Sequence, residues 1–419
     1  MSARPTPMRY WPLLVTAVLL LAACGSRDAP ATSAGEQPVG DPAVERPAAR
    51  PDGPVEALAA GFNAAGFALL RTLPVEDNVV FSPASISHAL LMAHAAADNA
   101  TAAAIEDVLE LAAEQAPHEA WNNLDQQLAA AQGDDITVVI ADRIWPRVDV
   151  EPDPDWLELL ATYHNAGVEP LDFLNDPDGS RNRINGWVGE QTEGLIPELL
   201  PDGFIKPRET VLVLTDTLYF KARWARPFGK YPPITGQFTR LDGSTVDMEF
   251  MQELELDDLR GAGDGYVGAE IPYAGGELSM LVIMPDEGRF AELRDGLDQA
   301  FLDEIDATFT RGPYELRLPA WRTRTELDLM GWLEASGVAP GHYPAIAAGV
   351  FLGEAVHGAD IAVDEWGTVA AAATALGFEE SGAPEPELVV AADHPFLYLV
   401  RHRESGLVLF AGQVTDPTA

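Results

Sequence analysis

The sequence predicts an α+β fold, with helices first and strands dominating the second half of the chain. Apolar residues recur at helical spacing from Val55 to Leu73, and Ser82-Pro83 is typical of a helix start. Strand-like apolar runs follow at 210–220 and 278–284, and residues 396–412 read as a hairpin. We find no internal repeat. Helices that precede the strands, rather than alternating with them, favour α+β over a wound parallel sheet.

Three further elements are predicted between these segments. Residues 136–144 (ITVVIADRI) are rich in β-branched residues and predict a strand, whereas 155–163 and 180–200 predict helices. Residues 263–268 match GxGxxG by letter, but an acidic stretch precedes them and an extended one follows. A dinucleotide loop needs a strand before it and a helix after it, so we predict a turn here.

The composition excludes several classes of function. The 419 residues contain 26 Lys plus Arg against 66 Asp plus Glu, a formal charge of −40, which disfavours nucleic-acid binding. One cysteine excludes an intrachain disulfide framework and cysteine-rich zinc sites. No H-E-x-x-H or G-x-S-x-G motif is present, and His88 and His94 do not share a helix face. We therefore predict no cofactor and no metal site, and no local motif indicates an enzyme, although a Ser/His/Asp triad could still assemble from residues distant in the sequence.

The first 24 residues have the features of a secretory signal. A short basic start is followed by an apolar run of about 13 residues, too short to span a bilayer. The run ends in Leu21-Ala22-Ala23-Cys24, which resembles a bacterial lipobox and implies removal of residues 1–23 and lipidation of Cys24. The alternative is a plain signal cut after Ala-x-Ala. Residues 24–54 predict a flexible Pro/Ala-rich tether, and residues 55–419 one domain.

The segment 364–382 carries the most information about function. Its alanine run has high helix propensity and is compatible with an ordinary surface helix. With a period of two, however, small and apolar residues fall on one face: Thr368, Ala370, Ala372, Thr374, Leu376 and Phe378. The residues alone leave both an exposed loop and an inserted strand open.

Short blocks along the chain resemble motifs of the serpin family. They are NVVFSPASI (78–86), INGWV (184–188), FKARW (220–224), IPY (271–273), and HPF (394–396) with LFAG (409–412). These blocks follow the family's order between about residues 55 and 417 and are jointly specific. The resemblance implies helices around three β-sheets and an exposed reactive-centre loop.

The resemblance also implies a mechanism. In the family, a protease cleaves the loop and is held as an acyl-enzyme while the cut loop enters the main sheet as a new strand. We therefore expect a suicide inhibitor of serine endopeptidases rather than an enzyme. The alternative is a non-inhibitory serpin fold that binds a partner or is cleaved as a substrate. The hinge maps to small residues that match the inhibitory pattern: Glu365, Gly367, Thr368, Ala370, Ala371, Ala372 and Ala373.

Family spacing from the hinge glutamate places the reactive bond between Ser381 and Gly382. The following stretch is a few residues longer than usual, so the bond is expected anywhere from Phe378 to Ala383. The loop contains no Lys or Arg, which favours elastase-, subtilisin- or chymotrypsin-like proteases over trypsin-like ones. A glutamate-specific protease acting at Glu379 or Glu380 is a further alternative.

Four more residues map to the family's loop-insertion machinery. Ser82, Asn185 and His357 fall where the family has polar residues beneath the opening sheet, although ordinary buried polar groups are compatible with the same positions. Trp224 maps to the insertion point. Ala320 replaces the lysine that pairs with the hinge glutamate in some members, unless Arg322 substitutes for it.

The expected partners follow from these assignments. They are a target serine protease in a covalent complex and a membrane contacted through the lipid on Cys24, with no nucleic acid. We expect a monomer in the cell envelope, on the outer membrane if the cell is Gram-negative, or outside the cell.

Overall fold

The computed structural model describes residues 46–50, 55–112, 116–368 and 388–419. The helices of this part are α1 (Glu56–Leu70), α2 (Pro83–His94), α3 (Asn99–Val108), α4 (Pro117–Ala130), α5 (Pro154–His164), α6 (Pro177–Gln191), α7 (Phe290–Asp295), α8 (Gln299–Thr308) and α9 (Met330–Ala335). The strands are β1 (Val79–Phe81), β2 (Ile136–Pro146), β3 (Gly167–Val168), β4 (Leu212–Arg223), β5 (Ile234–Thr239), β6 (Thr245–Gly263), β7 (Tyr266–Pro272), β8 (Leu278–Pro285), β9 (Thr310–Pro319), β10 (Trp321–Asp328), β11 (Val356–Val363), β12 (Gly367–Thr368), β13 (Val389–Ala391), β14 (Phe396–His402) and β15 (Val408–Val414). The α+β class is confirmed.

The smaller sheet has six strands in the order β10-β11-β12-β4-β2-β3. β2 and β4 pair antiparallel along eleven residues, from Ile136 opposite Ala222 to Pro146 opposite Leu212. β12 is only two residues long, yet it pairs with β11 on one side and with β4 on the other. The predicted hinge therefore starts as a strand inside this sheet.

The larger sheet has nine strands, in the order β1-β15-β14-β8-β7-β6-β9-β13, with β5 also paired to β6. The resemblance implied three sheets, but the described residues form two hydrogen-bonded ones. The difference arises because the 19-residue β6 runs through both halves of the larger sheet. A register shift between Glu253 and Leu256 bends the β6–β9 pairing within that run.

Two apolar clusters lie on opposite faces of the smaller sheet. Side chains alternate along β4, so that Leu218 joins the main cluster, which also contains residues of α1, α2 and the larger sheet. Val213 lies on the opposite face of β4 and packs with Trp145 of β2 and Trp187 of α6 in the second cluster. The smaller sheet is thus buried on both sides, with α2 beneath it and α6 over it.

The predicted start of α2 is confirmed, whereas the predicted end of α6 is wrong. Ser82 caps α2, with its Oγ accepting a hydrogen bond from Ser85 N at 3.0 Å, as the Ser-Pro pair predicts. The helix predicted over 180–200 ends at Gln191 instead. Glu193 (φ 49°) and Gly194 (φ 81°) adopt the left-handed conformation, which stops the helix.

The two predicted turns are confirmed. β14 and β15 form an antiparallel hairpin, and the GxGxxG match is the tight β6–β7 turn, with Gly265 at φ 81°. No helix of the described residues is long and apolar enough to cross a membrane. Cys24, the signal and most of the tether lie outside the described residues, so their assignments stay predictions.

Candidate functional site

The predicted hinge begins at a tight turn between β11 and β12. Asp364 Oδ1 accepts hydrogen bonds from Trp366 N at 2.7 Å and Gly367 N at 3.1 Å, while Asp364 N donates to Gly367 O at 3.0 Å. A short acidic side chain closes such turns well because its oxygens reach backbone amides two and three residues ahead. The turn reverses the chain and delivers Gly367 and Thr368 into the sheet.

Gly367 is held where a larger residue does not fit. A Cβ added at this position would lie 2.0 Å from the carbonyl oxygen of Ala222 on β4. The close approach brings the backbones of β12 and β4 into register, with Gly367 opposite Arg223 and Thr368 opposite Ala222. Glycine is therefore required here by packing against the neighbouring backbone.

Trp224 and Tyr273 contact the hinge from the core side. Trp224 Nε1 donates to Asp364 O at 3.0 Å, and the Trp224 ring stacks on that of Tyr273 with centroids 4.6 Å apart. The hydroxyls of Tyr273 and Thr368 lie 2.6 Å apart. Burial raises the pKa of Tyr273, so its phenol stays protonated and able to donate. The predicted insertion-point tryptophan thus lies at the hinge.

Beyond β12, no strand of the described residues lies between β4 and β11. β4 and β11 both run antiparallel to β12, so they are parallel to each other. Among the described residues, β4 and β11 are not paired directly with each other. A cavity of about 660 Å³ lies between the start of β4 and the start of β11. Apolar side chains dominate its wall: Leu90, Leu214, Leu329, Leu333, Tyr343 and Val356.

The structure brings Ser82 and His357 together but places Asn185 elsewhere. Ser82 N donates to His357 Nε2 at 3.1 Å, which ties the start of α2 to the start of β11. Asn185, on α6, accepts from Leu199 N at 3.1 Å and Leu200 N at 2.8 Å. Asn185 therefore fastens the segment after α6 and has no contact of this kind with Ser82 or His357.

His357 is neutral in this environment. Burial lowers its pKa to about 4, against a smaller upward effect of the Asp216 carboxylate. A neutral imidazole leaves Nε2 free to accept the hydrogen bond from Ser82 N. The link between α2 and β11 depends on this protonation state.

Glu365 and Arg322, the two remaining residues considered at the hinge, have defined partners. Glu365 O accepts from Phe228 N at 2.8 Å. Arg322 does not substitute for the missing lysine, because its guanidinium donates to both carboxylate oxygens of Asp360, at 3.1 and 2.9 Å. Ala370 to Ala373, Ser381 and Gly382 lie outside the described residues.

Two residues of this site were not predicted as functional. Tyr273 lies 95 positions from Thr368 in the sequence, so no local spacing connects them. Asp364 stands beside the predicted hinge, and its position before Trp366-Gly367 is a turn signal that would have identified it.

The fold and this site define a protein whose smaller sheet holds a two-residue strand, β12, between β4 and β11. The family model for serpins, described as serine protease inhibitors, matches residues 60–417. The chain therefore belongs to the serpin family. Among its relatives, Serpin-Z2A of Oryza sativa subsp. japonica is 31% identical over 402 residues, covering 82% of this chain and 92% of the relative.

Two solved structures share the fold. The native-state structure of the thermophilic serpin tengpin has a TM-score of 0.79 at 22% identity and covers 89% of this chain and 97% of its own. Human thyroxine-binding globulin, solved as a thyroxine complex, has a TM-score of 0.76 at 23% identity and covers 87% and 100%.

Proposed function

We propose that the chain inhibits serine endopeptidases of elastase-, subtilisin- or chymotrypsin-like specificity by loop cleavage, acyl-enzyme trapping and loop insertion. The observation that supports this proposal most is the two-residue strand β12, beyond which no described strand lies between β4 and β11. Family membership supports inhibition in general, while the hinge geometry supports this mechanism.

The register of β12 predicts where an inserted strand would lie. Extending the observed pairs places Ala370 opposite Phe220 of β4, Ala372 opposite Leu218 and Leu376 opposite Leu214. These positions share a face with Thr368, whose hydroxyl meets Tyr273 on the core side. The side of the inserted strand that faces the core would therefore carry the small and apolar residues that alternate along the sequence.

The order of side-chain sizes along this face matches the space available. Ala370 and Ala372 would lie close to β12, beside the buried Phe220 and Leu218. Leu376 and Phe378 would reach the apolar cavity of about 660 Å³, where bulky side chains fit. Burying the two would contribute about 4 kcal/mol to the inserted state, since a fully buried Leu or Phe is worth roughly 2 kcal/mol.

Thyroxine-binding globulin, a neighbour in fold, was solved with bound thyroxine, so the fold alone does not imply protease trapping. The first experiment must therefore separate trapping from simple cleavage. The purified chain is incubated with elastase, subtilisin, chymotrypsin, trypsin and a glutamyl endopeptidase. A denaturing gel reports covalent complexes, and the mass of the released carboxy-terminal peptide gives the scissile bond. Clean cleavage without a complex in every reaction supports the non-inhibitory alternative.

Two neighbouring substitutions test the insertion geometry. Ala370→Glu would place a carboxylate on the core face opposite Phe220, whereas Val369→Glu would place it on the other face, opposite the half-exposed Lys221. We expect Ala370→Glu to lose at least ~90% of covalent complex and to be cleaved as a substrate, because burying an unpaired charge is costly. Val369→Glu, the matched control, is expected to keep complex formation near the unsubstituted level. Equal yields for the two variants would contradict the predicted register.

A further inference from the structure

Two aspartates face each other inside the smaller sheet. Asp142 of β2 lies directly opposite Asp216 of β4. Their side chains are only 3% and 2% exposed. Like charges directly opposite on neighbouring strands destabilise a sheet, and buried carboxylates require a compensating charge. This pair therefore calls for a positive charge, which either a proton on His88 or a bound cation supplies.

His88 reaches both carboxylates from α2 beneath the sheet. Its Nδ1 lies 2.5 Å from Asp216 Oδ2 and 3.4 Å from Asp142 Oδ1. One oxygen from each carboxylate and one ring nitrogen all lie within 4.8 Å of one another. Helix α2 and strands β2 and β4 thus each contribute one possible metal ligand at a single point.

The contacts around this point leave one carboxylate oxygen, Asp142 Oδ1, without a hydrogen bond from the described residues. Ser85 Oγ donates to Asp216 Oδ1, but the buried Asp142 Oδ1 accepts no hydrogen bond within the described chain. No lysine or arginine of the described residues forms an ion pair with either carboxylate.

The histidine is held as metal-bound histidines are. His88 Nε2 lies 2.7 Å from His164 Nδ1, and His164 Nε2 lies 2.8 Å from His118 Nδ1. The His88 ring also stacks on Trp121, with centroids 3.7 Å apart. Such outer contacts fix the ring orientation and tautomer of a ligating imidazole, leaving the other nitrogen for the metal.

We propose that His88 Nδ1, Asp142 and Asp216 form a buried site for a divalent transition metal, with zinc as the ion that the ligand set fits. Zn²⁺ takes imidazole nitrogen and carboxylate oxygen at about 2.0–2.2 Å in a tetrahedron, so the ligand atoms need separations of about 3.4 Å. The distance between His88 Nδ1 and Asp142 Oδ1 already has this value, at 3.4 Å, whereas that between His88 Nδ1 and Asp216 Oδ2 would have to lengthen from 2.5 Å on metal binding. A water molecule would complete the four ligands.

Charge and access both fit this assignment. Zn²⁺ balances two ionised carboxylates and a neutral imidazole, and binding releases the His88 Nδ1 proton and any proton on Asp142 to solvent. Nε2–H then donates to His164 Nδ1. The cavity described above reaches Ser85 and Asp216, which gives the ion a path inward. The proposal departs from the sequence prediction of no metal site, because that prediction rested on local spacing.

Zinc binding by the full chain tests the site directly. Chelator-treated protein is dialysed against ZnCl₂ and its metal content measured, together with that of Asp142→Asn and Asp216→Asn. Asp257→Asn, on an exposed carboxylate of β6, is the matched control for weak binding to the acidic surface. We expect one tightly bound Zn²⁺ per chain in the unsubstituted protein and the control. Affinity should be at least ~100-fold weaker in the two site variants.

A second readout does not depend on the variants folding. Co²⁺ substituted into the unsubstituted chain should give the intense visible absorption of a tetrahedral site. It should also quench part of the tryptophan fluorescence, since Trp121 stacks on His88. Less than one equivalent of zinc per chain, equal affinity in Asp142→Asn, or only the weak absorption of octahedral Co²⁺ would each overturn the proposal. None of these readouts depends on protease inhibition.

Discussion

Gly367 is the residue where one added methyl group has the largest expected effect. Its Cβ would meet the Ala222 carbonyl oxygen at 2.0 Å, and the three nearest atoms all belong to the backbone of β4, which leaves little room to adjust. We expect Gly367→Ala to lower the free energy of unfolding by about 2 kcal/mol, through overpacking and loss of the β12 pairs. Chemical denaturation monitored by tryptophan fluorescence measures this change.

Gly331 offers a matched control for that substitution. It lies in helix α9, and nothing lies within 4 Å of an added Cβ. Gly331→Ala is expected to leave stability unchanged or to raise it by about 1 kcal/mol, since alanine favours the helix. Unchanged stability in Gly367→Ala would show that the hinge is not held as described.

Residues near one another in the sequence could be predicted as a site, and distant ones could not. The face of Thr368, Ala370 and Ala372 is visible because its period is local. The contact of Thr368 with Tyr273, and that of Asp142 with Asp216, depend on pairing between strands far apart in the sequence. Nothing in local spacing indicates which buried polar residues will meet.

At the scale of elements, the link between α2 and β11 predicts a dependence of stability on pH. His357 has a pKa near 4 when folded and near 6.5 in the unfolded chain, because folding buries it neutral. Between these values the unfolded chain binds more protons. Stability is therefore complete above about pH 6.5 and falls as the pH drops toward 4. The full effect is about 3 kcal/mol, from 1.36 kcal/mol per pKa unit.

His357→Gln isolates this contribution. Glutamine keeps a hydrogen-bond acceptor for Ser82 N but does not titrate. We expect the difference in unfolding free energy between pH 7 and pH 4.5 to be smaller in the variant by about 2–3 kcal/mol. Both proteins are measured by urea denaturation in chelating buffer, so that metal binding does not contribute. An identical pH dependence in the two proteins would contradict the assignment.

Element starts were easier to predict than element ends and partners. Ser82-Pro83 carries a cap and a fixed backbone angle, which are local properties, and α2 begins there. The end of α6 depends on Glu193, a non-glycine residue in the left-handed conformation, which the sequence does not signal. The sequence does not indicate the length of β6, because its alternation of buried and exposed residues is interrupted by the register shift.

At the scale of the whole molecule, the space between β4 and β11, which no strand of the described residues occupies beyond β12, predicts that cleavage stabilises the protein. A protease that cuts between Phe378 and Ala383 without being trapped would free the segment to enter the sheet. We expect the thermal midpoint to rise by roughly 10 °C or more, because Leu376 and Phe378 become buried and a new strand is paired on both sides. Calorimetry before and after cleavage measures the shift.

Ala370→Glu serves as the comparison for this experiment. The variant can be cut at the same bond, but its buried carboxylate opposes insertion, so its midpoint should change little. A similar rise in both proteins would show that stabilisation does not come from the predicted strand. The α+β class and family were accessible from sequence, whereas the number of hydrogen-bonded sheets depended on how far β6 extends.

The two-residue strand β12 also bears on how fast insertion can proceed under the proposed mechanism. Strand formation is normally slowed by a search, in which a flexible chain must close a loop before any contact rewards it. Here Gly367 and Thr368 already sit between β4 and β11 before any bond is cut. Nucleation is complete in the native state, so each later residue adds beside a neighbour already in place. The time available to the protease for hydrolysis is then set by propagation alone.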